Sequence, residues 1–225
     1  MDKRIRIIVG HYGSGKTEFA VNYALKLSEE SPKVTIVDLD IVNPYFRSRE
    51  KKQLFSERGI ELISNSFDKD ITAELPSLAA NIHAPLQDKD RQVILDVGGD
   101  ATGVRTLGRY KRFFTKDSYD LFFVVNANRP ETDTFEKALE YVQSIEAEVG
   151  IKITGLINNT HMLENTSLED IIKGNNLVTQ LSHHLKTPVR YTCCIEKLAK
   201  DVPKEVKGEL FVIQMIMREK WMMVD

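Results

Sequence analysis

Gly10-His11-Tyr12-Gly13-Ser14-Gly15-Lys16-Thr17 is the stretch on which the reading of this chain turns. It fits G-x-x-x-x-G-K-T and lies between a short apolar run, Ile5 to Val9, and a segment where Phe19, Ala20, Tyr23, Ala24 and Leu27 recur at helical spacing. A strand that feeds a glycine-rich turn into an amphipathic helix aims backbone N–H groups, at the positive end of the helix dipole, at whatever the loop encloses. A phosphate suits that position. Lys16 brings a point charge to it and is the first candidate catalytic residue, while the Thr17 hydroxyl is suited to ligate magnesium. Gly10, His11, Tyr12, Gly13, Ser14, Gly15 and Glu18 complete the candidate cradle.

Working outward, further β-rich runs are Val34 to Val37, Val93 to Leu95, Leu121 to Val125, Ile151 to Ile157 and Val189 to Cys193. Phe135, Ala138, Leu139, Val142 and Ile145 mark another amphipathic helix. This alternation predicts an α/β fold: one doubly wound, mainly parallel sheet with helices on both faces, in a single domain over residues 1–225. No repeat, low-complexity tract or long Gly/Ser/Pro linker divides it. The stretch from Asn65 to Gln87 reads as helix plus loops, and the apolar tail from Glu209 to Val224 as a terminal strand or helix.

Two predicted strands deliver carboxylates to their C-terminal ends, the edge where open α/β sheets bind ligands. In Val37-Asp38-Leu39-Asp40, side chains two apart on an extended chain share a side, so Asp40 could orient an attacking water while Asp38 steadies the metal shell. Gln92-Val93-Ile94-Leu95-Asp96 is followed by Val97-Gly98-Gly99, which places Asp96 as a magnesium ligand and Gly99 as a backbone donor to a terminal phosphate. Thr17, Asp38 and Asp96 are thus the metal candidates.

Composition removes other classes. With 225 residues and 42% hydrophobic side chains the chain can bury a core, and Lys+Arg at 31 against Asp+Glu at 33 leaves no basic excess for nucleic acid or an anionic membrane. There is no run of roughly 18 to 20 apolar residues and no signal-peptide pattern, so a cytoplasmic location is expected. Cys193 and Cys194 are adjacent, a poor arrangement for a disulfide or for shared ligation from one strand, and the five histidines show no zinc spacing.

The order of phosphate loop, D-x-D strand end and strand-end Asp followed by Gly resembles the MinD/ParA/CobQ/CobB group of SIMIBI-class P-loop proteins, related to the nitrogenase iron protein and the nickel-enzyme maturation factor CooC. The likeness runs over about residues 4 to 195. It implies a seven- or eight-stranded sheet, ATP with Mg²⁺, and a nucleotide-dependent homodimer. The group's loop reads K-G-G-x-G-K-T, with a Lys reaching across the dimer; His11 stands at that position here. Arg47, Arg49 or Arg129 could supply the charge instead. Guanine-binding relatives carry N-K-x-D after the strand that here ends in Asn158-Asn159-Thr160-His161. With no carboxylate at that offset, adenine is favoured, and Asn158 or Asn159 is the candidate base contact. By analogy with the group, Cys194-Ile195-Glu196 walls the base. CooC-like members bind nickel through C-x-C, whereas this chain has C-C. The tail resembles MinD's membrane-targeting helix in being apolar with nearby Lys207, Arg218 and Lys220, but it forms no single apolar face and membrane binding is not expected.

The resulting expectation is a Mg²⁺-dependent ATP-binding protein that hydrolyses ATP and acts as a nucleotide-driven switch or maturation factor for an unidentified protein partner. Two alternatives stay open. One is a small-molecule kinase or ATP-dependent synthetase resembling dethiobiotin synthetase or the cobyrinate amidating enzymes; the other is a metallochaperone driven by GTP or ATP.

Overall fold

Five consecutive buried residues, Ile5–Val9, form strand β1 at the middle of the molecule, and the glycine-rich turn after them opens helix α1, Lys16–Glu30. The computed structural model describes residues 2–40, 48–64, 81–99 and 101–218. Beyond α1 come β2 (Val34–Leu39), α2 (Lys52–Glu57), β3 (Ile60–Ser64), a helix described over 81–87 (α3), β4 (Gln92–Val97) and α4 (Ala101–Arg105). The second half contains β5 (Tyr119–Val125), α5 (Phe135–Val149), β6 (Gly155–Asn158), α6 (Leu168–Leu185), β7 (Val189–Ile195) and β8 (Glu209–Ile213).

The eight strands make one sheet in the order β3-β2-β4-β1-β5-β6-β7-β8, and every pairing among the described residues is parallel. Because β-strand side chains alternate, each central strand serves two cores. Ile7, Val9, Leu95, Phe123 and Val125 pack with α3 to α6 through Ile82, Leu86, Val104, Val142 and Val178. Ile8, Ile36, Ile94, Phe122 and Val124 pack with α1 and α2 through Phe19, Ala20, Tyr23 and Phe55. The doubly wound α/β arrangement is therefore present, with helices on both faces.

The strand order reverses direction at β1. Connections from β1 lead to β2 on one side with β4 inserted between, and β5 lies on the other. Such a reversal leaves a crevice at the carboxyl ends of the central strands, and the glycine-rich turn sits in it.

Several boundaries differ from the sequence pattern. β6 begins at Gly155 and not at Ile151, because Thr154 is engaged sideways: its N–H donates to the Leu121 carbonyl and its hydroxyl accepts from the Leu121 N–H. The edge strand β3 has no counterpart among the runs read from sequence; Ile60 and Ile63 are its buried positions, and among the described residues it pairs with β2 alone. The tail resolves into a strand at Glu209–Ile213, with the stretch beyond 218 outside the described residues. Of the 65–87 region, only the helix at 81–87 falls within them. Among the described residues no helix is long and apolar enough to cross a membrane.

Candidate functional site

The loop between β1 and α1 holds its shape through backbone geometry that side chains resist. Gly10 has φ +152 and Gly15 φ +82; a Cβ on Gly10 would lie 2.4 Å from the Val124 carbonyl oxygen, and one on Gly15 would lie 2.3 Å from Asn159 Nδ2. Only glycine fits both positions. The turn closes by Ser14 N–H donating to the His11 carbonyl, and α1 starts with Phe19 N–H donating to Gly15. Two neighbouring strands brace it from their ends. Beyond β5, Arg129 Nε donates to the Gly13 carbonyl at 3.0 Å; beyond β6, Asn159 Nδ2 donates to the Ser14 carbonyl at 2.8 Å.

Inside the loop, Lys16 Nζ donates to the His11 carbonyl at 3.2 Å. A Cβ on Gly99 would meet the Gly10 carbonyl, the Tyr12 amide and Lys16 Nζ within 2.7 to 3.0 Å, so the turn after β4 lies directly on the loop. Asp40 Oδ1 stands beside Gly98 in that turn, and the Asp40 N–H donates to Asp38 Oδ1 at 3.1 Å. The carboxylates converge because of register: Asp96 pairs with Ile8 of β1 on one side and with Asp38 of β2 on the other.

Asp96 is 1% exposed, and neither of its carboxylate oxygens has a hydrogen bond of normal geometry. Burial, with Asp38 and Asp40 nearby, pushes its pKa up to about 8, against the pull of Lys16 and the Thr17 hydroxyl. The Ser14 hydroxyl is likewise buried with no partner. A buried polar atom left unsatisfied is costly, so unsatisfied groups clustered on one loop ask for a ligand. A magnesium-bound phosphate chain supplies what they lack: oxygens for the loop N–H groups and Lys16, and a cation shell for Thr17 and the carboxylates. The residues present fit that group. Among the described residues no group of three or more His, Cys, Asp or Glu is arranged to hold a metal ion.

A cavity of about 500 Å³ opens from the loop. Of the candidates read from sequence, His11, Tyr12, Gly13, Gly15, Lys16, Thr17, Glu18, Asp40 and Asn159 line it; Gly10, Ser14, Asp38, Asp96 and Gly99 are set into its floor or beside it. Asn158 is not at the cavity. It is fully buried, its Nδ2 donates to the Ile171 carbonyl and its Oδ1 accepts from Thr160 N–H, so the base contact expected of it is not available in this geometry. Asn159 reaches the cavity with its amide nitrogen already given to the loop. His11 turns toward its own chain, 3.7 Å from Glu131 and edge-on to Tyr141. Arg129 is at the loop, as its position in sequence suggested. Arg47 and the side chain of Arg49 lie outside the described residues.

The far end of the cavity is apolar. Cys193, Cys194 and Ile195 at the end of β7 contribute to it, whereas Glu196 does not, and Ile213, beside Ile195 in the sheet, continues the lining into Met215, Met217 and Arg218. His161 lines the same region; burial, with Arg129 and Arg218 nearby, lowers its pKa to about 4, and its Nδ1 accepts the Leu163 N–H. Cys193 is buried in the core on the α1 side, where burial raises its pKa well above the usual thiol range.

Sequence reasoning missed the segment after β8. Residues 214–217 are strapped to α1: Glu18 Oε1 accepts the N–H groups of Ile216 at 2.7 Å and Met217 at 3.2 Å. Asn22 exchanges both its amide groups with the Gln214 backbone, donating at 2.9 Å and accepting at 2.8 Å. Burial raises the Glu18 pKa, opposed by those backbone donors and by Lys51 and Arg218. Glu18 and Asn22, one helical turn apart on α1, were the signal available.

No protein-family model matches the chain, and no curated protein matches it in sequence. Solved structures do match in fold. The signal recognition particle receptor FtsY from Elizabethkingia anophelis, in complex with GDP, aligns at TM-score 0.57 and 19% identity over 85% of this chain and 57% of that one. FtsY from Thermotoga maritima aligns at 0.56 and 20% identity over 86% of this chain and 62% of its own. The 54 kDa signal recognition particle protein from Aeropyrum pernix K1, in complex with GDP, aligns at 0.57 and 18% identity, covering 85% of this chain and 41% of that protein. The chain therefore spans less than two thirds of the length of these structures.

Proposed function

We propose that the protein binds a nucleoside triphosphate with Mg²⁺ in this cavity, that ATP is the nucleotide, and that hydrolysis sets the position of the turn after β4 for a protein partner to read. The observation that carries the proposal is Asp96: a buried carboxyl group with no hydrogen bond of normal geometry, beside Lys16 and Thr17 at the mouth of a glycine-rich helix start. A structural turn has no use for that arrangement, which costs stability until a cation arrives. The fold neighbours crystallised with GDP support a nucleotide in this place. The order of motifs supports the likeness to the MinD/ParA group.

Lys16 would leave the His11 carbonyl for phosphate oxygens, and the loop N–H groups would hold the chain of phosphates in line. Thr17, Asp38 and Asp96 would hold magnesium directly or through water, and the ion would neutralise charge building on the phosphates. Asp40, which lies beside Gly98, would accept a hydrogen bond from an attacking water. Gly99, packed on the loop and on Lys16, would register whether the terminal phosphate is there. His11 is engaged with its own chain, and this supports slow intrinsic hydrolysis unless a partner supplies further positive charge.

ATP over GTP rests on the carboxylates. Glu18, Asp40 and Glu131 are the acidic residues lining the cavity. Glu18 is committed to the strap, Asp40 belongs to the phosphate end and Glu131 faces His11, which among the described residues leaves no carboxylate lining the cavity to accept guanine's N1–H and amino donors. Calorimetry with Mg·ATP and Mg·GTP tests the reading: ATP binds at least as tightly as GTP, and Lys16→Ala loses about a hundredfold or more of the affinity for both. Absence of heat from either nucleotide with folded wild-type protein defeats it.

A further inference from the structure

The phosphate end accounts for the motif residues but leaves the strap without a role. Residues 214–217 could have run anywhere after β8. Instead hydrogen bonds fasten this backbone to the first two turns of the very helix that the glycine-rich loop opens: the Ile216 N–H on Glu18 Oε1, the Met217 N–H shared between Glu18 Oε1 and Oε2, and the reciprocal pair with Asn22. Their effect is to hold Met215 and Met217 in the lining of the cavity, just past Ile213, which pairs with Ile195 at the end of β7. Without the strap the cavity loses two of its apolar lining residues, Met215 and Met217.

We propose that the strap is the wall that grips the base of the bound nucleotide, and that Glu18 and Asn22 are positioning residues which hold it at the correct height above the loop. The inference rests on the nucleotide reading above and adds where the binding energy for the base originates. A flat aromatic ring fits an apolar cavity end continuous with a phosphate cradle, since its edges stay near polar groups while its faces meet aliphatic and thioether groups. Methionine suits the task because its sulfur is polarizable and its unbranched chain adapts to a ring face. Anchoring the strap on α1 also ties base and phosphates to one rigid element, so that neither end of the ligand can be bound with the other out of place.

Tripolyphosphate, which carries the phosphates and no base, separates the two ends. In wild-type full-length protein, Mg·ATP binds about a hundredfold or more tighter than Mg·tripolyphosphate. Asn22→Ala, which unfastens Gln214, and Met215→Ala, which shortens a half-buried side chain in the cavity lining, each lower that ratio about tenfold. Circular dichroism and a thermal melt check folding of Asn22→Ala, and Met215→Ala keeps the question open to refutation should Asn22→Ala fail to fold. A wild-type ratio near one with tripolyphosphate still bound overturns the inference while sparing the nucleotide reading. Equal loss of both ligands in the variants overturns it too, since the strap would then support the loop and not the base. An unchanged ratio in Met215→Ala has the same consequence. If wild-type protein binds neither ligand, the nucleotide reading falls and this inference with it.

Discussion

At the proposed phosphate end of the cavity, Lys16, Thr17, Asp38 and Asp96 come from the ends of two adjacent strands and the start of the helix that follows β1; at the proposed base end, Cys194, Ile195, Ile213, Met215 and Met217 come from the last two strands and the segment after them. The first group is polar and fixed by register, Ile8 to Asp96 to Asp38, within a few ångströms of backbone that cannot move without breaking the sheet. The second is apolar, and its part beyond β8 is held by side-chain hydrogen bonds to one helix. Charge chemistry demands particular residue types at particular offsets, whereas an apolar wall demands only shape, which many sequences satisfy.

The sharpest way to break that comparison is Asp96→Asn. If the phosphate end pays for function in stability, removing a buried, unsatisfied carboxylate raises the stability of the ligand-free protein by about 1 to 3 kcal/mol in urea melts. The same change lowers the enhancement of nucleotide affinity by Mg²⁺ about a hundredfold, for ATP and tripolyphosphate alike. Loss of stability in the variant would mean that Asp96 has a structural partner and that the metal reading of it is wrong.

Gly15→Ala comes next. The new Cβ would lie 2.3 Å from Asn159 Nδ2 at φ +82, so the loop must shift and the Asn159–Ser14 bond must give way. A cost of about 2 to 4 kcal/mol in stability is expected from the clash and the left-handed backbone together. Affinity for tripolyphosphate should fall as much as that for ATP, in contrast to the strap variants. A selective loss of ATP would blur the division between the two ends.

That division also explains how far the sequence could be read. Gly10 to Thr17, Asp38, Asp40 and Asp96 announce themselves because the chemistry of phosphate and cation constrains both identity and spacing, and the buried β1, β2, β4 and β5 are apolar enough to stand out. Edge strand β3 did not, since Ile60-Glu61-Leu62-Ile63-Ser64 is half exposed and too short to show a period. Helix α6 escaped notice although Ser167 and Asp170 make a capping box at its start. The two asparagines were visible but not their duties: Asn158 supports α6 and Asn159 the loop, assignments that depend on which backbone carbonyls fold beside them. The strap was hidden for the same reason, because Glu18 reads as part of the phosphate motif until residues 216 and 217 are seen to lie on it.

The smallest expected effect concerns the boundary between the ends, where His161 stands. Its folded pKa of about 4 lies below the ordinary histidine value of 6.5, burial being the main cause. A lowered base binds fewer protons folded than unfolded, so its contribution to stability is complete above pH 6.5 and is lost as pH falls toward 4. Between pH 7 and 5 the wild-type protein should therefore lose about 1 to 2 kcal/mol more than His161→Asn, a variant that keeps a side-chain acceptor for the Leu163 N–H. Urea melts at the two pH values in both proteins measure this. Because the neutral ring accepts the Leu163 N–H on Nδ1, its proton sits on Nε2, the atom that a Cβ on Gly15 would approach at 3.2 Å. Protonation would add a second charge beside Arg129, in the same corner as the loop, so acid should loosen the loop and the strap together. Equal pH dependence in wild type and variant would show that His161 is solvated and free to titrate, and that the two ends meet at an open, water-filled junction instead of a packed one.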